Sequence, residues 1–299
     1  MKKNEEMFRS GFVTIVGRPN VGKSSLMNRL IGEKIAIVSA RPQTTRSRIM
    51  GVLTEPDCQI VFLDTPGIHN PKTRLGEYMM HTVRDAMEGM DAALVIMDVS
   101  HITQDDLQIA KDLKGKEVPV IIVLNKTDLV TPEQILTATA RVAETGHDEI
   151  VPVSAKTGSG TDDLLSCMRK YIQEGPKYFP DDMITDQPER ILCAEIIREK
   201  ALGHLRDEVP HGIGVEIMKI EALSDHLTEI NATVYCERES HKAIIIGRQG
   251  SMLRTIGTEA RQDIEKLLDT HVNLKLWIKI RPDWRNNVSD LKNLGYESK

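Results

Sequence analysis

Aromatic side chains are scarce. Phe, Tyr and Trp make up 4% of the 299 residues, so any core must be assembled from Ile, Leu, Val, Ala and Met. Long apolar runs are missing as well: Ala92–Met97 and Val118–Leu124 have the length of a strand and fall short of a bilayer span. Cysteine is limited to Cys58, Cys167, Cys193 and Cys236, far apart and without a C-x-x-C pair. That pattern argues against a disulfide framework or a zinc site and fits buried free thiols in a reducing cytosol. No signal peptide is expected, since Met1-Lys2-Lys3-Asn4-Glu5-Glu6 is basic then acidic and the next apolar stretch is too short and interrupted. An excess of positive charge is absent, with a net charge of −5. Residues 190–299 nevertheless balance, 17 Lys+Arg against 17 Asp+Glu, while the first 189 residues carry 22 against 27. A nucleic-acid partner must therefore meet a local basic patch, because no net field would draw it in.

Against these absences stands one strong motif, Gly17-Arg18-Pro19-Asn20-Val21-Gly22-Lys23-Ser24. It comes after the apolar run Phe12–Val16 and leads into Ser25–Leu30, which has helical spacing. Strand, glycine loop and helix form the setting in which backbone N–H groups and a helix N-terminus face phosphate oxygens. Lys23 can reach the β- and γ-phosphates, and the Ser24 hydroxyl can bind magnesium. Three further segments come after apolar strands. Gln59–Leu63 ends in Asp64-Thr65-Pro66-Gly67, the layout that senses a γ-phosphate: a carboxylate for the magnesium shell and a glycine N–H for close approach. Val118–Leu124 ends at Asn125-Lys126-Thr127-Asp128. The Asp128 carboxylate can accept from both the ring N–H and the exocyclic amine of guanine, donors that adenine does not offer together. Asn125 can bond the base edge and tether the phosphate loop, and the Lys126 stem can cover the ring. Ile150–Val153 runs into Ser154-Ala155-Lys156, where a backbone N–H can meet the guanine carbonyl oxygen. Strands alternating with helices predict a mostly parallel α/β sheet with its ligand at the strands' C-terminal ends.

Between the first of these motifs and the second, Ser39–Arg48 is polar and aperiodic and reads as an exposed, mobile loop. It holds the candidates for a second magnesium hydroxyl, Thr44 and Thr45. Arg41, Arg46 and Arg48 can touch phosphate or simply be solvated.

This half resembles the translation-factor-related GTPases, a resemblance that favours Thr45 over Thr44. Its functional core would be Lys23, Asn20, Thr45 and Gly67, with magnesium on Ser24, Thr45 and Asp64. Ile68 stands where Ras-like enzymes place a water-orienting glutamine, a job isoleucine cannot do. Asn20 has two readings. It occupies the position that binds a potassium ion near the phosphates in the related family with hydrophobic substitutions, or it only stabilises the turn.

The domain read over 1–174 closes with a helix over Thr161–Tyr171. Residues 175–189, with three prolines and four acids, read as a semi-extended linker. Residues 190–299 give the order α-β-β-α-α-β. Two short helices meet at Gly247-Arg248-Gln249-Gly250, where the glycines let a phosphate–sugar backbone pass close, the clamp of KH domains in their type II order. The apolar run ending at Ile246 would line the base groove, with Lys242, Arg248, Arg254 and Arg261 supplying charge.

Both halves together resemble the Era family, bacterial GTPases of small-subunit ribosome assembly. The resemblance extends over nearly the whole chain, including His241–Gly250 and Pro282-Asp283-Trp284-Arg285-Asn286, and Ile68 agrees with it. It implies hydrolysis of GTP to GDP with magnesium, binding near the 3′ end of 16S ribosomal RNA and engagement of the 30S subunit. It also implies a cytoplasmic protein with peripheral contact at the inner face of the membrane. The expected chain is a monomer with no DNA partner. The competing reading is a GTP-binding, RNA-binding factor acting on another RNA or a membrane partner, with hydrolysis incidental.

Overall fold

The structure is a computed structural model and describes residues 8–39, 41, 44–69, 71–115 and 118–296. The chain divides into two compact units. The first opens with β1 (Arg9–Val16), α1 (Lys23–Ile31), β2 (Ile49–Thr54), β3 (Cys58–Asp64) and the part of α2 (Arg74–Asp85) from Met79 on, whose earlier residues cluster with the second unit. It continues with β4 (Ala92–Asp98), α3 (Gln104–Leu113), β5 (Val120–Asn125), α4 (Pro132–Ala143), β6 (Ile150–Pro152), α5 (Thr161–Arg169) and β7 (Gln173–Glu174). The sheet order is β2-β3-β1-β4-β5-β6, parallel except for β2, and β7 adds an antiparallel pairing to β1. The apolar runs become strands because helices cover both faces: every residue of β3 is buried, as is all of β4 but Asp98. Capping boxes at Thr103/Asp106 and Thr131/Gln134 start α3 and α4. The four cysteines are free and buried, in line with the expectation.

The segment expected to link the domains is extended, but residues 175–186 cluster with the first unit. Gln59 holds it from inside the sheet, accepting from the Tyr178 and Phe179 N–H groups and donating to the Phe179 carbonyl. Further along, the Val52 N–H donates to the Ile184 carbonyl and the Thr185 hydroxyl to the Met50 carbonyl. Phe179 and Met183 pack on Met50, Val52, Val61 and Leu63. The contact boundary falls after Asp186, within the stretch read as the linker.

The second unit contains α6 (Glu189–His204), β8 (Gly214–Ser224), β9 (Leu227–Cys236), α7 (Glu239–Ile246), α8 (Ser251–Leu268), β10 (His271–Ile280) and α9 (Val288–Asn293). Its three-stranded sheet, β10-β9-β8, is packed by Ile256, Ala260 and Ile264, one face of α8, and by Cys193, Ile197 and Ala201 of α6. Trp284 is wholly buried and donates from Nε1 to the Gly212 carbonyl, which anchors the C-terminal tail. Among the described residues, Ile37–Ser39, Arg41 and Thr44 also cluster with this unit. The Val38 N–H donates to Glu199, Arg41 to the Leu205 carbonyl, and the buried Arg198 to the Thr44 carbonyl. The expectation of a freely exposed loop is thus corrected, because backbone groups there find partners on α6. Arg46, expected at the surface, is buried. Among the described residues, no helix is long and apolar enough to cross a membrane.

Candidate active site and nucleic-acid interface

Four strands of the first unit end where the motifs begin, so the sheet itself gathers them at one edge. Gly17 has φ +146°, and a Cβ there would stand 2.5 Å from the Ile96 carbonyl. Gly22 has φ +98°, and its Cβ would meet Asn125 Nδ2 at 2.2 Å. Neither position admits a side chain, which is why the loop can wrap as tightly as phosphate recognition needs.

Lys23 is buried, with Nζ donating to the Gly17 and Arg18 carbonyls at 3.2 and 3.0 Å. Burial lowers its ammonium to about 8, against the pull of Asp64. Burial likewise pushes the Asp64 carboxyl up to about 6, with Lys23, Ser24 and Thr45 pulling it back. The Ser24 hydroxyl donates to Asp64 Oδ2 at 2.5 Å, and Thr45 Oγ1 lies 2.9 Å from Ser24 Oγ and 3.4 Å from Asp64 Oδ2. Asp64 Oδ1 is buried without a hydrogen-bond partner. Three hard oxygen groups around an orphaned carboxylate oxygen fit magnesium. Thr44, the alternative to Thr45, turns its hydroxyl to the Arg41 carbonyl instead.

The segment after β3 lies on the phosphate loop. A Cβ on Gly67 would come within 2.6 Å of Pro19 N, and the Ile68 N–H donates to the Gly17 carbonyl at 3.0 Å. Thr65 donates to the Ile15 carbonyl, and Pro66 is buried beside it. Asn20 adopts φ 65°, an uncommon left-handed conformation outside glycine. Arg18 points away from the loop's centre, donating to Asp106 at 2.8 Å.

On the base side, Asn125 is buried and committed at both ends. Nδ2 donates to the Val21 carbonyl at 2.9 Å, and Oδ1 accepts from the Ala155 N–H at 3.0 Å. The tether expected of it is present in full, and its role as a reader of the base edge is correspondingly reduced. Asp128 Oδ1 accepts from Ser154 Oγ at 2.7 Å, which orients the carboxylate. Thr127 closes the turn through its N–H on the Val153 carbonyl. The Lys126 ammonium bonds the Asn20 carbonyl and pairs with Asp98 at 2.7 Å, a partner the sequence motifs do not include. Burial works against it, but Lys126 and Ser100 hold the Asp98 carboxyl below its ordinary value.

In the second unit α7 ends at Gly247, with φ 72°, and Gln249 and Gly250 come next at φ 51° and 76°. A Cβ on Gly247 would lie 2.7 Å from the Met252 Cβ, whereas Gly250 has nothing within 4 Å. Gly250 is therefore open to an approaching backbone. Of the run before the loop, Ile245 is buried, Ile246 half-buried and Ile244 exposed, so one isoleucine anchors the helix and its neighbour faces outward. Lys242, Arg248 and Arg254 form no ion pair among the described residues, while Arg261 is tied to Glu265 at 2.8 Å and contributes less free charge than expected.

Comparison with known proteins bears on both units. A family model described as 50S ribosome-binding GTPase matches residues 12–126, and one described as KH domain matches residues 208–285. GTPase Era of Clostridioides difficile is 51% identical over 297 residues, covering 98% of this chain and 100% of the relative. GTPase Era of Ruminiclostridium cellulolyticum is 48% identical, covering 97% and 98%. Among solved structures, Era with MgGDPNP and nucleotides 1506–1542 of 16S ribosomal RNA superposes with a TM-score of 0.94 at 40% identity, over 97% of this chain and 100% of that one. An Aquifex aeolicus Era variant bound to GDP and AlF4− gives 0.93 at 40%, with the same coverage.

Proposed function

Because the chain belongs to the GTPase Era family, we propose that it is a switch gripping the 3′ end of 16S ribosomal RNA while an assembling 30S subunit matures. It is a GTPase with a magnesium-dependent nucleotide site and an RNA-binding KH domain. The observation that carries the RNA reading is the solved Era complex with nucleotides 1506–1542, to which this chain is similar across both units. The family model named for the 50S subunit covers only the nucleotide half, so it does not bear on which RNA the other half takes.

Chemically, the phosphate-loop N–H groups and Lys23 neutralise charge that builds on the β–γ bridge as it breaks. Magnesium, held by Ser24, Thr45 and Asp64, supplies further charge neutralisation when bound. Gly67 admits its own N–H to the γ-phosphate because no side chain intervenes. Ile68 cannot orient water, and Asn20 on the exposed rim of the loop supports a potassium ion as the missing positive charge. Single-turnover hydrolysis in potassium against sodium tests this: equal rates reject the ion.

Coupling is assigned to the segment that ends at Thr45. Thr45 bonds among the nucleotide residues, while Val38 and Thr44 bond to α6 within the RNA-binding unit. Release of Thr45 after hydrolysis would loosen that segment. The test is binding of the full chain to a 3′-terminal 16S fragment with GDP and with a non-hydrolysable GTP analogue. Tighter binding in the analogue is expected; equal binding rejects the switch, and no binding rejects the choice of RNA. We place the protein in the cytoplasm as a monomer, with family membership supporting peripheral contact with the inner membrane; vesicle flotation tests that contact.

A further inference from the structure

Arg29 belongs to none of the motifs, yet it joins two of them. It lies near the end of α1, whose first turn carries Lys23 and Ser24. Its side chain crosses to the loop after β6, where Nε donates to the Ala155 carbonyl at 3.0 Å and Nη2 to the Lys156 carbonyl at 2.6 Å. The stem runs past Gly158, where a Cβ would stand 3.9 Å from Arg29 Cδ. A ring of contacts is thereby closed. The phosphate loop bonds Asn125 through Val21, Asn125 bonds Ala155, and Arg29 returns from that loop to the phosphate-binding helix.

The hydrogen bonds of the loop determine which N–H it offers to a ligand. Ser154 N–H donates to the Ser159 carbonyl, and Gly158 N–H to the Ser154 carbonyl. Ala155 N–H donates to Asn125, and Thr157 N–H to Ser154 Oγ. Among the described residues, the Lys156 N–H has no such partner. In a planar trans peptide the carbonyl and the following N–H point in opposite directions. Arg29, by drawing the Ala155 carbonyl to itself, turns the Lys156 N–H the other way.

We propose that Arg29 is a positioning residue for base recognition, fixing the Lys156 N–H to donate to the 6-oxygen of guanine. This rests on the guanine reading of Asp128 and the Ser154–Lys156 loop. The ring also ties base recognition to phosphate recognition, so a nucleotide lacking the oxygen is held less well at both ends.

The test titrates the full chain, as wild type, Arg29→Ala and Arg29→Lys, with GDP, 6-thio-GDP and IDP. The thio analogue replaces the 6-oxygen with a poor acceptor, whereas IDP keeps that oxygen and lacks only the exocyclic amine read by Asp128. Arg29→Ala should bind GDP roughly five-fold more weakly, in keeping with a net loss of about one hydrogen bond. Its penalty for 6-thio-GDP should shrink towards none while its penalty for IDP stays at the wild-type value. Arg29→Lys should recover part of the loss, since one ammonium can reach one carbonyl but lacks the two-pronged geometry. Unchanged GDP affinity in Arg29→Ala overturns the proposal. So does an equal loss for all three nucleotides, the mark of a role in folding alone. Wild-type chain that binds 6-thio-GDP as tightly as GDP instead overturns the underlying base reading.

Discussion

Lys23 and Asp64 are both buried, and each is shifted towards neutrality by the same burial. Around the Gly247–Gly250 loop of the second unit, which we propose meets RNA, Arg248 and Arg254 are exposed and Lys242 half-exposed, and none is engaged in an ion pair among the described residues. The contrast reflects what each site must do. Breaking a phosphoanhydride needs charges held in place beforehand in a dry setting, where they act strongly. Holding a polyanion needs only charges that can exchange counter-ions for phosphates, and these function best in water. A near-zero net charge over residues 190–299 is therefore compatible with RNA binding, because the free arginines and lysine are concentrated around one loop.

That contrast can be broken most severely at Lys23. Lys23→Ala strips the buried Asp64 of its compensating charge and the triphosphate of its main cation, so affinity for a GTP analogue should fall by about 30- to 1000-fold. Calorimetry with and without the RNA fragment checks it, and nucleotide-free RNA binding should survive. Next comes Gly250→Asp. There is room for the side chain, but a carboxylate would meet the RNA backbone, and affinity should drop by about tenfold or more. GTP hydrolysis without RNA should persist. Gly250→Asn carries the same strain at φ 76° with no charge, and it should keep most of the binding.

The smallest effect sharpens the comparison through pH. The Lys23 ammonium is lowered to about 8 in the free protein, while phosphate favours its charged form, so nucleotide binding takes up a proton once pH exceeds that value. Affinity for Mg-GDP should be about four-fold weaker at pH 8.5 than at pH 7, by titration of one such group. For stability the sign is the reverse. A depressed lysine costs the folded state throughout the range below about 8, and that cost is relieved as pH rises from there to the unfolded value near 10.5. RNA affinity, resting on exposed arginines, should stay flat over the same range.

Much of this can be read directly from residue order. Ile256, Ala260 and Ile264, the buried face of the helix Ser251–Leu268, stand at helical spacing in the sequence. The phosphate loop and the guanine tetrad announce themselves because fixed residue types must occupy adjacent positions. Other features carry no such local signal. The segment 175–186 reads as a linker because its prolines and acids are aperiodic, yet Gln59, a buried polar residue in a mostly apolar strand, captures it with three hydrogen bonds. Arg198 looks like one half of a helical pair with Glu195, and nothing in its neighbourhood points to the Thr44 carbonyl.

The amino-acid order determined the two-domain plan, the nucleotide and its base, and the loop proposed to meet RNA, since each depends on residues close together in the chain. The Thr45 hydroxyl lies beside Ser24 and Asp64, as the family resemblance favoured, whereas tertiary structure alone decided that Asn125 spends its amide on Val21 and Ala155, and that Arg29 holds the base loop. Those contacts join backbone groups and side chains far apart in sequence. Any residue has a carbonyl or an N–H to offer, so no pattern of side chains could have named the partner in advance.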